Sequence, residues 1–411
     1  SYGGRRVGFI EGGLNQANGL TVQTVEGGAL VEFTDIQPYS VVSISEGTSE
    51  AQPSGGQISA TQNGDVIVLE NDLLRVEFNG SGDITRVYDK QVNREVLAPD
   101  TTANALQAFE DRPMNFDAWD IDIFYEDRTE KIEGVESISI TEQGPIRVAL
   151  DVQRKYRSST IHQKIYLYRD SKRLDFDTWI DWHEHHTLLK VAFPVDVMSP
   201  MATFDVQWGN VQRPTHSNTS WDWARFETCA HKWADLSEGN YGVAILNDCK
   251  YGHDIHDNVL RLTLLKSATS PDPNADQGEH YMTYSLLPHE GDWRKEVVPA
   301  AYDLNNPLIL RHVSGGTASS GSLESLVSVS ATNVVIETIK RAEDGNDIIV
   351  RLYENERNRG TVSIKTGFAL AKAQHCNLLE ENDATLSVQD NQVQFEIKPY
   401  EIVTLRLTPQ A

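Results

Sequence analysis

The chain has 411 residues, 39% of them hydrophobic and 23% charged, with a formal net charge of −24. That balance suits a globular protein with chain enough for two or three domains, and no apolar run approaches the roughly 20 residues of a membrane span. So acidic a surface repels phosphate backbones and anionic lipid, which argues against nucleic-acid and membrane partners, whereas a neutral ligand such as a glycan meets no such penalty. The three cysteines, Cys229, Cys249 and Cys376, are odd in number and lack C-x-x-C spacing. A disulfide framework and a zinc ribbon are disfavoured, and a reducing compartment is favoured. The opening Ser1-Tyr2-Gly3-Gly4-Arg5-Arg6 has neither the apolar core of a secretory signal nor a starting Met, which reads as a fragment or a processed product.

In chain order, nearly every periodic stretch alternates with period two. The first 45 residues hold few strands, such as Leu30 to Phe33 and Ser40 to Ile44, and read as the end of an element whose start lies elsewhere. Ser45 to Gly64, rich in Ser, Gly, Thr and Gln, reads as a linker. Strands follow at Val66 to Leu69 and Leu73 to Phe78, then an Asn79-Gly80-Ser81-Gly82 turn and a partner strand at Ile84 to Tyr88. Further strands are predicted at Ile146 to Gln153, Thr160 to Tyr168, Leu174 to Trp182, Leu188 to Pro194, Tyr241 to Leu246 and Leu260 to Leu265. Ser314 to Ser322 reads as a flexible stretch. Beyond it, strands are predicted at Leu326 to Ser330, Val334 to Lys340, Asp347 to Tyr353, Gly360 to Thr366 and Gln394 to Leu407. Helical periodicity over more than three turns is absent, so the fold class is all-β with sheets packed face to face. The expected division is 1–50 as a remnant, 51–300 as a large β domain and 301–411 as a small C-terminal β-sandwich.

Three clusters could carry chemistry. Phe109 to Asp122 holds Glu110, Asp111, Arg112, Asp117, Trp119, Asp120 and Asp122; in strand geometry Asp120 and Asp122 share a face opposite Trp119. An aromatic ring against a sugar's C–H face, with carboxylates accepting its hydroxyl protons, is what a sugar site needs; the bland reading is a solvated acidic loop with a buried Trp. The second cluster runs from Arg213 through His216, Trp221, Trp223, Arg225 and Glu227 to Trp233 and Asp235. Core packing accounts for at least one of its three tryptophans. The third, Asp181-Trp182-His183-Glu184-His185-His186, matches H-E-x-x-H only in part. Thr187 stands where the second His belongs, and the sequence is strand-like where that motif needs a helix, so satisfied or exposed histidines are the default. No phosphate-cradling glycine loop and no G-x-S-x-G occurs.

Several ordered segments resemble the C-terminal region of glycoside hydrolase family 38 α-mannosidases. They include Leu69 to Phe78, Glu110-Asp111-Arg112-Pro113, Trp119-Asp120-Ile121-Asp122 and Leu189 to Pro194. The match continues through Gln212 to His216, Asn218 to Asp222, His231 to Glu238, Asn247 to Gly252 and Asp276 to His280, and it looks closest to the bacterial and fungal vacuolar branch. The resemblance implies a galactose-mutarotase-like supersandwich followed by a smaller β-sandwich. It implies that the parent is a retaining, zinc-dependent exo-α-mannosidase acting on mannose-containing glycans. It also implies that the zinc ligands and the catalytic aspartate belong to an N-terminal catalytic domain not represented here, since no His-x-Asp occurs and His185-His186 is followed by Thr187. This chain would then carry no catalytic residue, metal or cofactor of its own. Its candidate cleft-wall residues are Arg112, Asp117, Trp119, Asp120, Arg213, His216, Trp221, Trp223 and Arg225. The implied compartment is cytoplasmic for a bacterial source or vacuolar for a fungal one, and homo-oligomers are compatible with the sequence. The rival readings are a stand-alone carbohydrate-binding module, an aldose-epimerase-like protein and a purely structural domain.

Overall fold

In a computed structural model the described residues are 2–17, 19–45, 47, 55–313 and 325–410. Their order is set by alternation. Along Ser159–Tyr168 every second side chain is buried, so Ile161, Gln163, Ile165 and Leu167 face inward while His162, Lys164 and Tyr166 face outward. This strand is the third of a nine-stranded antiparallel sheet that begins with Val135–Gln143 and Arg147–Tyr156 and ends with Met201–Val206 and Gly209–Pro214. A six-stranded sheet built on Ala105–Glu110, Thr187–Pro194, Val259–Lys266 and Gly252–His256 packs against it. A five-stranded meander from Ile58–Asn63 to Arg94–Glu95 joins the same core, which takes Phe78, Phe176, Phe193, Trp182 and Tyr284 from different sheets. A second, smaller sandwich of four- and five-stranded sheets follows, with its own core around Ile364, Leu405 and Leu407. The fold is all-β, a supersandwich followed by a small β-sandwich.

Three local readings change. Ser40 to Ile44 forms no strand. The Ser/Gly-rich Ser45 to Gly64 lies partly outside the described residues, but its end, Ile58–Asn63, is a strand that returns through Gly64 (φ +61) onto Val66–Asn71. Gln394 to Leu407 is two strands, Gln392–Ile397 and Ile402–Pro409. The predicted flexible stretch Ser314 to Ser322 lies outside the described residues. The early strands Gly4–Glu11, Thr21–Val25 and Gly28–Ile36 form a sheet that Leu308–Ile309 completes in parallel, around a small core of Ile10, Ala29, Val31 and Phe33.

The other departure is a helix, Trp293–Asn305. Asp292 caps it by accepting from the Arg294 amide. Pro299 stands inside it, and its apolar stripe is only Trp293, Val297, Val298 and Ala301, too thin a pattern to announce three and a half turns. The stripe docks on the outer face of the nine-stranded sheet, where Trp293 stacks on Trp233 with ring centroids 5.0 Å apart. Trp233 is thus the core member of the tryptophan-rich cluster.

The main core also holds a closed polar network. Gln163 donates to Tyr284 Oη (2.6 Å) and Thr178 Oγ1 (3.1 Å), Tyr284 donates to Asn104 (2.6 Å), and Asn104 donates back to Gln163 (3.0 Å). Satisfied networks of this kind tolerate burial, whereas one missing member leaves the others unpaired in a low dielectric. Tyr284→Phe is therefore expected to lower unfolding free energy by about 1–3 kcal/mol in urea titrations; an unchanged midpoint would show that the network contributes nothing.

Candidate functional site

Strand register puts Phe109, Leu188, Lys190, Asp254 and Arg261 on the outer face of the six-stranded sheet, since their neighbours Leu189, Val191 and Leu260 point into the core. Lys190 is fully buried there. A bare ammonium at such a site is expensive, so it must find carboxylates. Asp254 accepts from its Nζ at 2.6 Å, Glu227 contacts it directly, and the Tyr125 ring lies over it at 4.9 Å. Arg261 completes the cluster, pairing with Asp254 (2.6 Å) and with Glu126.

Burial alone would lower the Lys190 pKa, but the charges of Asp254 and Glu227 outweigh it and hold the ammonium protonated. Burial likewise works to raise Asp254, yet Lys190 and Arg261 hold it below the ordinary carboxylate range. Glu227 goes the other way: burial pushes it up, and Lys190 only partly offsets that.

This cluster roots two loops. One, 111–128, returns to the sheet through Tyr125, which packs on Phe109 and Leu188. The other, 215–227, ends in Phe226 and Glu227. Tyr125 joins them, its ring 6.2 Å from that of Phe226 and its hydroxyl donating to Glu227 at 3.3 Å. His256 lies 3.3 Å from the Phe226 carbonyl.

Each predicted site residue lies on or beside these loops. Trp119 is 73% exposed, so it is neither buried nor in a strand. Phe116, Asp117, Trp119 and Asp120 form a turn in which the Trp119 and Asp120 amides both bond the Phe116 carbonyl, so the expected strand alternation of Asp120 and Asp122 is absent. Asp122 instead accepts from the Met114 amide. Asp117 is an anchor: its carboxylate takes the Thr269 amide (2.7 Å), the Thr269 hydroxyl (3.2 Å) and the Ser270 amide (3.1 Å). Burial works to raise its pKa, but these bonds and nearby His186 bring it below the usual value. Arg112 is exposed and paired with Glu110. Trp221 and Trp223 stand on the short helix Ser220–Ala224, 74% and 50% exposed. Thr219 and Asp222 close a capping box at its start, Arg225 ends it, and His216 lies 3.8 Å from Asp222. Arg213 lies on the preceding strand, bonded to a backbone carbonyl.

The third cluster does not assemble. His183 pairs with Asp181 (2.9 Å), Glu184 accepts from Ser158 and Ser159, and His186 lies near Thr269 and Asp117. Among the described residues no group of three or more His, Cys, Asp or Glu could hold a metal ion. Sequence reasoning missed Lys190 and Asp254; the available signal was a lone lysine inside the apolar run Leu188 to Phe193.

With this geometry in place, the comparisons can be read. Residues 69–274 match the family described as glycosyl hydrolases family 38 C-terminal domain, and residues 333–405 match its C-terminal beta sandwich domain. The chain belongs to glycosyl hydrolase family 38, as part of its C-terminal region. Among its relatives, alpha-mannosidase 2C1 of Mus musculus is 37% identical over 353 residues, covering 84% of this chain and 34% of that protein. Alpha-mannosidase G of Dictyostelium discoideum is 35% identical, covering 83% and 32%. The alpha-mannosidase of Saccharomyces cerevisiae is 29% identical over 425 residues, covering 94% and 39%. The chain thus spans about a third of the length of the curated relatives it matches. The crystal structure of an alpha-mannosidase from Enterococcus faecalis shares the fold at a TM-score of 0.71 and 16% identity, over 99% of this chain and 51% of that one. Within the family 38 match, Lys190 and both aromatic loops fall inside residues 69–274.

Two outcomes are expected. Lys190→Met leaves Glu227 and Asp254 without their shared cation and should cost about 3–5 kcal/mol in urea unfolding, whereas Trp119→Ala, at an exposed turn, should stay within about 0.5 kcal/mol. His253 supplies a pH test. It is fully buried, with Nδ1 bonded to the Tyr251 carbonyl at 3.1 Å, and burial lowers its pKa to about 4. The unfolded chain therefore binds the extra proton between about pH 6.5 and 4, so stability falls as pH drops through that window. Acid titration of unfolding should show a loss of roughly 3 kcal/mol from this group, absent in His253→Asn; an identical pH slope in the two proteins would refute it.

Proposed function

We propose that this chain is the carbohydrate-binding, non-catalytic part of an α-mannosidase that removes terminal α-linked mannose, and that its two aromatic loops wall the substrate cleft. The observation that carries the reading is the pairing of exposed Trp119, Trp221 and Trp223 with Asp120 and Arg225 on loops rooted at one buried lysine. Large aromatic side chains left in water are costly unless something covers them, and a sugar's C–H face is a suitable cover when carboxylates stand beside it. The match covers about a third of the α-mannosidase relatives' length, which leaves room for a separate catalytic domain; in this reading the catalytic carboxylate and the zinc ion belong to that domain, and these loops face it. In that arrangement the chain's own side chains bind and orient the glycan and exclude water, and they move no proton. Arg112, on the first loop, is already engaged by Glu110, which fits a neutral substrate better than an anionic one at that point. Three free cysteines support a reducing compartment such as the cytoplasm.

Two measurements test this. The 411-residue chain supplied with Zn²⁺ should not turn over an aryl α-mannoside; steady turnover would overturn the non-catalytic assignment. In the longer enzyme carrying this region, Trp119→Ala should lower kcat/KM by roughly 5- to 150-fold, the equivalent of about 1–3 kcal/mol of lost stacking, while the melting curve stays put. Unchanged kinetics would remove Trp119 from the cleft.

A further inference from the structure

The opposite side of the sandwich carries a second aromatic surface. Along Leu174–Trp182 the residues Asp175, Asp177, Trp179 and Asp181 alternate with the buried core positions and therefore face outward. Strand register sets His162, Trp179 and Tyr281 side by side in one row across three strands, and Lys164, Asp177 and Thr283 in the next. Tyr281 is 69% exposed and Trp179 is half-buried. The helix Trp293–Asn305 covers only the far part of this face, over Ala244, Leu246 and Leu287.

The second row leads into a cleft of about 1030 Å³. Tyr166, Asp177 and Thr283 line it from the sheet, and Tyr2, Tyr39 and Tyr302 from the elements packed beyond. Most of the cations on this side are already engaged by carboxylates. His162 bonds Asp151 (2.8 Å), Lys164 bonds Glu26 (2.6 Å) and Arg173 bonds Asp175 (2.7 Å). Arg5 pairs with Glu32 and Asp170, and Lys232 lies against the Tyr302 ring at 5.0 Å. Asp177 differs: its carboxylate makes no hydrogen bond or ion pair with any described residue, although desolvation in the cleft raises its pKa. A carboxylate lacking donors, beside aromatic rings and cations that are mostly occupied, suits a ligand that donates hydroxyls and presents an apolar face. An anionic ligand would meet more carboxylates than available cations.

We propose that this face is a second, non-catalytic glycan-binding surface, with an extended neutral oligosaccharide lying across Trp179 and Tyr281 and donating a hydroxyl to Asp177 in the cleft. It lies on the outer face of the nine-stranded sheet, whereas the Trp119 and Trp223 loops are rooted on the outer face of the six-stranded one. Both surfaces can therefore be occupied at once. Only the choice of mannose as the sugar rests on the function proposed above.

The test is calorimetric titration of the 411-residue chain with an α-linked mannotetraose, a β-glucan tetraose and a β-galactan tetraose. Tyr281→Ala removes an exposed ring and Asp177→Asn an unbonded carboxylate, so both should leave folding intact, which Trp179→Ala, being half-buried, does not guarantee. Saturable mannotetraose binding that weakens by roughly tenfold or more in each of these two variants, and persists in Trp119→Ala, is the expected result. The same variant pattern with glucan or galactan alone would uphold the surface and overturn mannose as its ligand. No binding of any of the three at millimolar concentration, or binding lost only in Trp119→Ala, would overturn the proposal. So would sedimentation showing a dimer that Tyr281→Ala dissociates, because the face would then be covered by a second copy.

Discussion

The buried ammonium of Lys190 constrains more of this molecule than any other single group. It sits mid-strand on the outer face of a sheet, a position where a lysine would ordinarily extend into water. Once Tyr125 closes over it, backed by Phe226 against the Tyr125 ring, desolvation must be offset by charge, and two carboxylates from distant parts of the chain are needed to do so. Asp254 comes from an adjacent strand pair, but Glu227 has to arrive at the end of a long loop. The same contact that stabilises the cation therefore brings the 215–227 loop back to the sheet beside the 111–128 loop.

That explains how solvent-exposed tryptophans can stand on irregular backbone and still be held in place. The tips, at Trp119 and Trp221, make few contacts; their roots are an ion cluster, a capping box and the Asp117 anchor. Rigidity at the base with exposure at the tip is the arrangement a binding surface needs, because the aromatic faces stay free while their positions do not wander. Removing a root is accordingly a stability lesion, and under the proposed function removing a tip would be a recognition lesion.

The sequence reveals alternation well and covering poorly. Leu174–Trp182 and Gly360–Thr366 were legible to the residue, because each strand's inward set is mostly apolar and its outward set mostly polar, with Trp179 the outward exception. The helix Trp293–Asn305 was not, since its stripe is short and Pro299 interrupts it. In the candidate site the sequence identified the aromatic and acidic tips, Trp119, Asp120, Trp221 and Trp223, by composition. It gave no sign that Asp117 staples one loop to Thr269, or that Lys190, Glu227 and Asp254 form one cluster. Those contacts join segments far apart in the chain, and whether an outward strand residue is buried depends on what folds over it, which periodicity does not encode.

The cleft on the other face depends on a different kind of contact. The small C-terminal sandwich has its own apolar core, and the fastenings that tie it to the rest include Tyr302 bonded to Tyr353 (2.7 Å) and Glu337 (2.8 Å), Tyr400 bonded to Asn210 (3.0 Å), and Tyr39 bonded to the Ile336 carbonyl (2.6 Å). Hydrogen bonds of this sort each contribute only about 1 kcal/mol net, so they orient the unit more than they stabilise it. Yet Tyr39 and Tyr302 also line the cleft, opposite Tyr166 and Asp177. The walls facing the sheet are set by how the first sheet, the helix and the small sandwich dock. The cleft is thus a property of the assembled chain, and a change that loosened those polar fastenings would alter the proposed ligand surface before it unfolded either sandwich.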